Sequence, residues 1–402
     1  MNQTVLITNG QLVLPDRVVD NGELLVENGI ICHAGKQGEH RTKVADRVID
    51  AQGGYILPGF IDLHSDAIEK ELEPRPGAFF NAELAFSELE KKLAGQGITT
   101  MYHSFSFAGA EWGVREDNGA ADCIRRMIGM ARNSALIRNK MHLRFEITNY
   151  MAVDIIRGLL RDGMIDLLSF MDHTPGQGQY PTVEDYKRYL EKTYHVHFSE
   201  VDRILAAKEE GRTRSDESIE LLQTAALAEG IPLASHDDDR PEQVRYYKAK
   251  GVTISEFPIN IETTQAARAM GVDVCVGAPN IVRGGSTGKG MRAIDAIEAG
   301  AVNIICSDYY PPAILHAVFQ LAQKNLSLPE AVAMATCLPA RALGLTTLGS
   351  LTEGNTGDVI VVKIRGQVPV VTNTIVGGIP VYDVNYRMVE YAGQKMPEQP
   401  AC

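Results

Sequence analysis

The chain runs to 402 residues, 45% apolar and 22% charged, with a formal net charge of −12. At about 150 residues per domain this suits one large domain and a smaller one, and the acidity argues against a nucleic-acid surface or adhesion to anionic membrane. Six scattered cysteines without a CxxC pair argue against a disulfide framework or a thiolate zinc site, so a reducing cytoplasm is expected.

The first ten residues, MNQTVLITNG, have neither the basic nor the apolar region of a signal peptide. No run of about 18 apolar residues follows that would span a membrane. Residues 1–57 alternate apolar and polar positions in TVLITNGQLVL, GELLVENGIICHAG and RVIDAQGGYILPG. Asn9–Gly10, Asn21–Gly22 and Asn28–Gly29 are expected hairpin turns. The stretch 349–402 repeats that style, so the two ends are expected to pair as one small β-sandwich domain.

Residues 58–348 alternate strand-like and helix-like segments. Apolar strands are expected to end near His64, His103, Glu146, His173, His236, Glu256, Gly277 and Asp308. AFSELEKKLAGQG and ESIELLQTAALAEG read as helices closed by glycine. Eight such βα units point to an α/β fold of the (β/α)8 TIM-barrel type. The polar stretch 177–215 reads as a helical insertion between two barrel strands.

His64, Asp66, Glu146, His173, His236 and Asp308 all fall at or just past strand ends, which a barrel brings to one face. One such residue is usually a cap; six together point to a divalent-metal site, because imidazole and carboxylate are its ligands at neutral pH. His64 and Asp66, two apart on an extended segment, point to one side. Asp62 is expected to satisfy backbone groups. His103 is expected at the same rim, as a substrate contact or a cap. At least two of Asp237, Asp238 and Asp239 are expected to be solvated or to support the ligands. His195 and His197 are expected on a solvated face, and Trp112 is uninformative.

PGFIDLH after VIDAQGGYILPG, followed by FEI, DH, ASH and CSD, resembles the amidohydrolase superfamily over nearly the whole chain. HSDAIEKELEPRPG, MDHTPGQGQ, ASHDDD and EFPIN resemble its PhnM branch, which serves the carbon–phosphorus lyase pathway. The resemblance implies hydrolysis of α-D-ribose 1-methylphosphonate 5-triphosphate to the 5-phosphate and pyrophosphate. It also implies one or two divalent ions, zinc foremost with manganese or iron as alternatives, on His64, Asp66, Glu146, His173 and His236, with Asp308 as the proton acceptor. The usual HxH is replaced by His64-Ser65-Asp66, and Glu146 stands in for the carboxylated lysine of many members. The later histidines follow strands four and five instead of five and six.

A triphosphate needs positive charge and backbone amides. VGAPNIVRGGSTGKGMR, after strand seven, offers Gly284, Gly285, Gly288 and Gly290 with Arg283, Ser286, Lys289 and Arg292. Its spacing is not that of a Walker loop. Arg75 is a second candidate phosphate contact. The partner expected is a small phosphorylated molecule, not nucleic acid or membrane; homo-oligomerisation is left open. The alternative is a cyclic-amide or N-acetyl amidohydrolase on the same metal site, since fold does not imply function. A catalytically dead assembly module would require lost ligands, and here the set is complete.

Overall fold

The computed structural model describes residues 3–39, 45–75, 77–109, 115–175, 182–184, 186–188, 198–286, 290–324 and 326–386. The N-terminal segment forms β1 (Thr4–Val13), β2 (Val18–Glu27), β3 (Ile30–Lys36), β4 (Arg47–Asp50) and β5 (Tyr55–Pro58). The middle contributes β6 (Phe60–Ser65), β7 (Ile98–Phe107), β8 (Arg138–Glu146), β9 (Leu167–Met171), β10 (Leu233–His236), β11 (Ile254–Glu256), β12 (Asp273–Gly277) and β13 (Ile304–Cys306). The C-terminal segment adds β14 (Val359–Arg365), β15 (Val368–Val376) and β16 (Ile379–Asp383).

The chain ends meet in one continuous sheet, ordered β16-β15-β14-β5-β1-β2-β3, with β4 also paired to β1. β4 and β5 run parallel to β1, and the remaining pairs are antiparallel. Val5, Ile7, Leu24, Val26, Ile56, Val359, Val361 and Ile375 give it a dry core of its own. Only one of the three Asn-Gly pairs turns a hairpin, at Asn28–Gly29 between β2 and β3. Asn9–Gly10 and Asn21–Gly22 lie inside β1 and β2, where Gly10 faces Gly22 and the register shifts. Asn9 and Asn21 take positive φ there, a conformation a bulge needs as much as a turn does.

The eight middle strands pair in parallel, in chain order from β6 to β13. The barrel closes through a bridge between Ser65 and Asp308. Asp66 N–H donates to Asp308 O at 2.7 Å, and Asp308 N–H to His64 O at 3.0 Å. Closure therefore happens at residues of the candidate site. Helices Ala82–Gly95 and Ser215–Ala228 form where their periodicity requires, the first capped by Asn81 on Leu84 N–H. Ile61, Leu63, Tyr102, Leu167, Ala234, Ile254, Cys275 and Cys306 fill the barrel interior, and a larger apolar layer joins strands to helices.

His103 does not end a strand: β7 continues to Phe107. The ring is buried beside Phe86 and lies 2.8 Å from Asn139 Oδ1. Met101 and Phe105, on its side of the strand, belong to the helix-facing core; His103 thus faces the helices, away from the mouth. Cys32, Cys123, Cys275, Cys306 and Cys337 are free thiols. Among the described residues no helix is long and apolar enough to cross a membrane.

Candidate active site

The C-terminal ends of the barrel strands bury a cluster of imidazoles and carboxylates. The β6–β7 ladder is irregular between Asp62 and Ser65. Such an irregularity re-aims side chains, and His64 reaches the mouth next to interior Leu63. His64 Nδ1 lies 3.1 Å from Glu256 Oε1, so that nitrogen carries the proton and Nε2 keeps its lone pair. Nε2 is 3.9 Å from Asp66 Oδ1. Burial above all, then the charge of Arg144, pushes the His64 pKa down to about 3, so the ring is neutral as a ligand must be. Asp308 follows β13 at φ 57°, a left-handed conformation that aspartate tolerates. Burial, and then Asp66, pushes its carboxyl up to about 7. Asp62 accepts from Ser307 N–H at 3.0 Å and His64 N–H at 3.4 Å, the backbone role expected of it.

A second group stands across the mouth. Glu146, fully buried at the end of β8, accepts from His173 N–H at 3.2 Å and Thr148 Oγ1 at 3.2 Å. It lies 3.5 Å from His173 Nδ1 and 3.3 Å from Lys208 Nζ. His173 Nε2 and His236 Nδ1 approach the same Asp237 oxygen, at 3.4 and 3.1 Å. Against the cost of burial, His236 and His173 draw Asp237 below the usual carboxylate range. One ligand atom from each of His64, Asp66 and Asp308 lies within 4.8 Å of the others; so do those of His173, His236 and Asp237, and of His64, His236 and Glu256. This donor chemistry fits a divalent ion. Five of the six residues expected at the site enter such groups; Glu146 stands behind His173 instead.

Cations converge on these acids. Buried Arg144 donates from Nη1 to both Asp66 oxygens, at 3.0 and 3.2 Å. Arg115 grips Glu69 at 2.8 Å and lies 3.9 Å from Asp66. Lys208 arrives from helix Phe198–Arg212, within the expected insertion. That helix packs so closely that a Cβ on Gly211 would stand 1.9 Å from Thr148 O, an approach only glycine permits. Arg212 Nη2 donates to Thr174 Oγ1 at 2.5 Å. At the rim, Arg283 Nη1 donates to the hydroxyl of Tyr309 at 3.2 Å, and Lys70 Nζ sits 4.8 Å from that ring's centroid. Tyr309 directly follows Asp308.

Of the other expected phosphate contacts, Ser286 is half-buried and Arg75 is exposed beside a backbone bridge to Ala78. Arg292 lies 3.6 Å from Asp295. Lys289, Gly288, Trp112, His195 and His197 lie outside the described residues.

Site residues inside a strand escape a reading of strand ends, and Glu256, an expected strand end, is given no role by it. His142 and Arg144 precede Glu146 by four and two residues on β8; alternation puts all three on one side, the signal that would have found them. Glu256 ends β11 at the position in register with His236 on β10. Asp237 is buried against the histidines and Asp238 is buried on Ser235 and Ser255, while Asp239 pairs with Arg240. Phe257, at φ 53°, packs edge-on against His64 at 4.8 Å and near His236 at 5.2 Å. Positive φ in a bulky residue is rare and marks strain held by its surroundings.

The model of the amidohydrolase family matches residues 55–381. The chain is 34% identical over 370 residues to the α-D-ribose 1-methylphosphonate 5-triphosphate diphosphatase of Escherichia coli (strain K12), covering 89% of this chain and 94% of that one. A dihydroorotase of Geobacillus sp. (strain WCH70) is 42% identical over 60 residues, 15% of this chain and 14% of that one. Among solved structures, N-acetylglucosamine-6-phosphate deacetylase from Pasteurella multocida superposes at a TM-score of 0.62 and 13% identity, over 94% of this chain and 99% of the other. Molinate hydrolase does so at 0.63 and 14% identity, over 97% and 99%. These two similarities show the fold alone.

Proposed function

The chain belongs to the amidohydrolase family and is a hydrolase, and from that premise we propose that it cleaves α-D-ribose 1-methylphosphonate 5-triphosphate between the α- and β-phosphates, in phosphonate catabolism. What carries this reading is the charge distribution. A chain of net charge −12 gathers Lys70, Arg115, Arg144, Lys208 and Arg283 around one carboxylate–imidazole mouth. A neutral cyclic amide needs no such set, whereas a polyphosphate does. The full-length similarity to the Escherichia coli enzyme supports the same substrate.

His64, Asp66, His173, His236 and Asp308, with Glu146 behind His173, are the residues to hold divalent metal, zinc foremost. A divalent ion bound there supplies Lewis acidity and makes water a competent nucleophile near neutral pH. The chain's own residues do the rest. Asp308, at the mouth beside His64 and Asp66, accepts the proton of the attacking water. Oxygen bonds to the α-phosphorus as the bond to the bridging oxygen breaks, and pyrophosphate leaves with that electron pair. Arg283 and Lys70 at the rim, aided by Ser286 and Lys289 of the same loop and by Arg75, neutralise the phosphates; Arg144 and Arg115 keep Asp66 ionised beside them.

The test is product analysis by 31P NMR with the triphosphate, against dihydroorotate and N-acetylglucosamine 6-phosphate. Equimolar pyrophosphate and 5-phosphate are expected. Turnover confined to the C–N substrates would replace this assignment with an amidase.

A further inference from the structure

Phe257 holds a backbone conformation that is disfavoured on two counts. Its φ of 53° is left-handed, which bulky side chains rarely adopt. Pro258 follows, and a residue before proline prefers extended backbone. Asp237 and Asp308, which leave β10 and β13 at φ 57°, are aspartates and tolerate it; Phe257, which leaves β11, has no such tolerance. Hydrogen bonds hold its loop in place: Phe257 N–H donates to Cys275 O at 2.9 Å, Ile259 N–H to Asp238 O at 3.0 Å and Met291 N–H to Ile259 O at 3.1 Å. Strain maintained in this way clusters at sites where it serves function. What it secures is the position of a half-buried ring in the mouth, its centroid 4.8 Å from that of His64 and 5.2 Å from that of His236.

Gly277 stands next to that ring. It lies two residues past interior Cys275 on β12, hence on the same side. Its φ of −75° and ψ of 126° suit any residue, and a Cβ there would meet Asp308 Oδ2 at 3.4 Å and Phe257 Cε1 at 3.5 Å, ordinary contacts. Gly277 is also the N-cap of helix Ala278–Arg283, where a serine or aspartate would add a bond that glycine cannot make. Backbone, packing and capping give no reason for glycine here. Its bare face leaves a slot open between the Phe257 ring and the Asp308 carboxylate.

We propose that Phe257 and Gly277 form the seat for the sugar of the substrate. The inference rests on the triphosphate reading above and adds a place for the part of the substrate that is not phosphate. Cleavage beside Asp308 brings the α-phosphorus there, and C5 of the ribose is joined to that phosphorus through one oxygen. The negative face of an aromatic ring repels a phosphate, while the C–H groups of a sugar pack against it. The ring therefore sorts sugar-linked triphosphates from bare polyphosphate.

Calorimetric titration of the two products, α-D-ribose 1-methylphosphonate 5-phosphate and pyrophosphate, tests this without turnover. Phe257→Asn removes the ring and accepts the left-handed turn. Its affinity for the sugar product should fall by about threefold to tenfold, and its affinity for pyrophosphate should stay within about twofold of wild type. Phe257→Tyr keeps the flat ring and should lose less. Gly277→Ala fills the slot at ordinary contact distances and leaves Phe257 in place; it should show the same selective loss. Bound metal, measured by plasma mass spectrometry, should match wild type in all three. Equal loss of both products, or loss of neither, in a variant shown to be folded by circular dichroism would overturn the inference. Loss of metal in Phe257→Asn would make the ring a prop for the histidines and overturn it too. Failure of wild type to hydrolyse the triphosphate would overturn the substrate reading and the inference with it; turnover with unselective losses would overturn the inference alone.

Discussion

Among the described residues there are two eight-stranded sheets, and they treat buried polar groups differently. In the terminal sheet buried polar side chains are few: Thr374 donates to Ala94 O at 2.7 Å, Thr372 to Val361 O at 3.3 Å, and Glu23 lies 3.6 Å from His33. In the barrel, His64, His142, Arg144, Glu146, His236, Asp237 and Glu256 are all buried together at one end. Burying charge costs stability unless each group is paired, and even then it seldom adds any. The barrel mouth accepts that cost for chemistry, and the terminal sheet supplies apolar burial that carries none.

The contrast can be broken by substitutions that move the wrong property. The largest effect is expected from Asp308→Asn, which keeps shape and removes the proton acceptor. Turnover of the triphosphate should fall by about 10²-fold or more, while the urea midpoint should not fall, because a buried carboxyl with a raised pKa costs stability at neutral pH instead of adding it. Near-normal turnover would remove Asp308 from its role.

Arg283→Ala comes next. The side chain is exposed and held toward the mouth by Tyr309, so losing one charge-assisted contact should raise KM or lower kcat/KM by about tenfold. Metal content should be unchanged. Wild-type kinetics would leave the loop after β12 as a mere connection.

His103 sharpens the comparison inside the barrel itself, as a buried histidine that faces away from the mouth. Burial pushes its pKa down to about 4, against about 6.5 when unfolded. Between those values the unfolded chain binds the extra proton. The stability this histidine contributes is therefore full above about pH 6.5 and lost as pH falls toward about 4. His103→Gln should flatten the loss of unfolding free energy between pH 7 and 5, by at most about 1.4 kcal/mol per pH unit. Urea titrations at pH 7, 6 and 5 provide the measurement, with kcat unaffected.

The smallest effect belongs to the terminal sheet. Ile56→Val deletes one methylene in a fully buried position, at a cost of about 1 kcal/mol. The thermal midpoint should drop and kcat should not. A change in kcat would mean that the sheet is coupled to the mouth.

Local pattern alone decided that eight apolar strands alternate with helices, because alternation, helical periodicity and glycine stops are properties of short windows. It also marked His64, Asp66, His173, His236 and Asp308 for one face, since the barrel sends every strand's C-terminal end there. Tertiary structure decided what no window contains. Asn9–Gly10 became a bulge because its partner was the strand carrying Gly22. His103 turned to the helices because β7 ran four residues further. Arg144 and Glu256 joined the site from different strands, and Lys208 came from a helix about sixty residues beyond Glu146. Arg144 meets His236 at 3.1 Å across the barrel, and contacts between residues 92 apart are set by packing, not by sequence spacing.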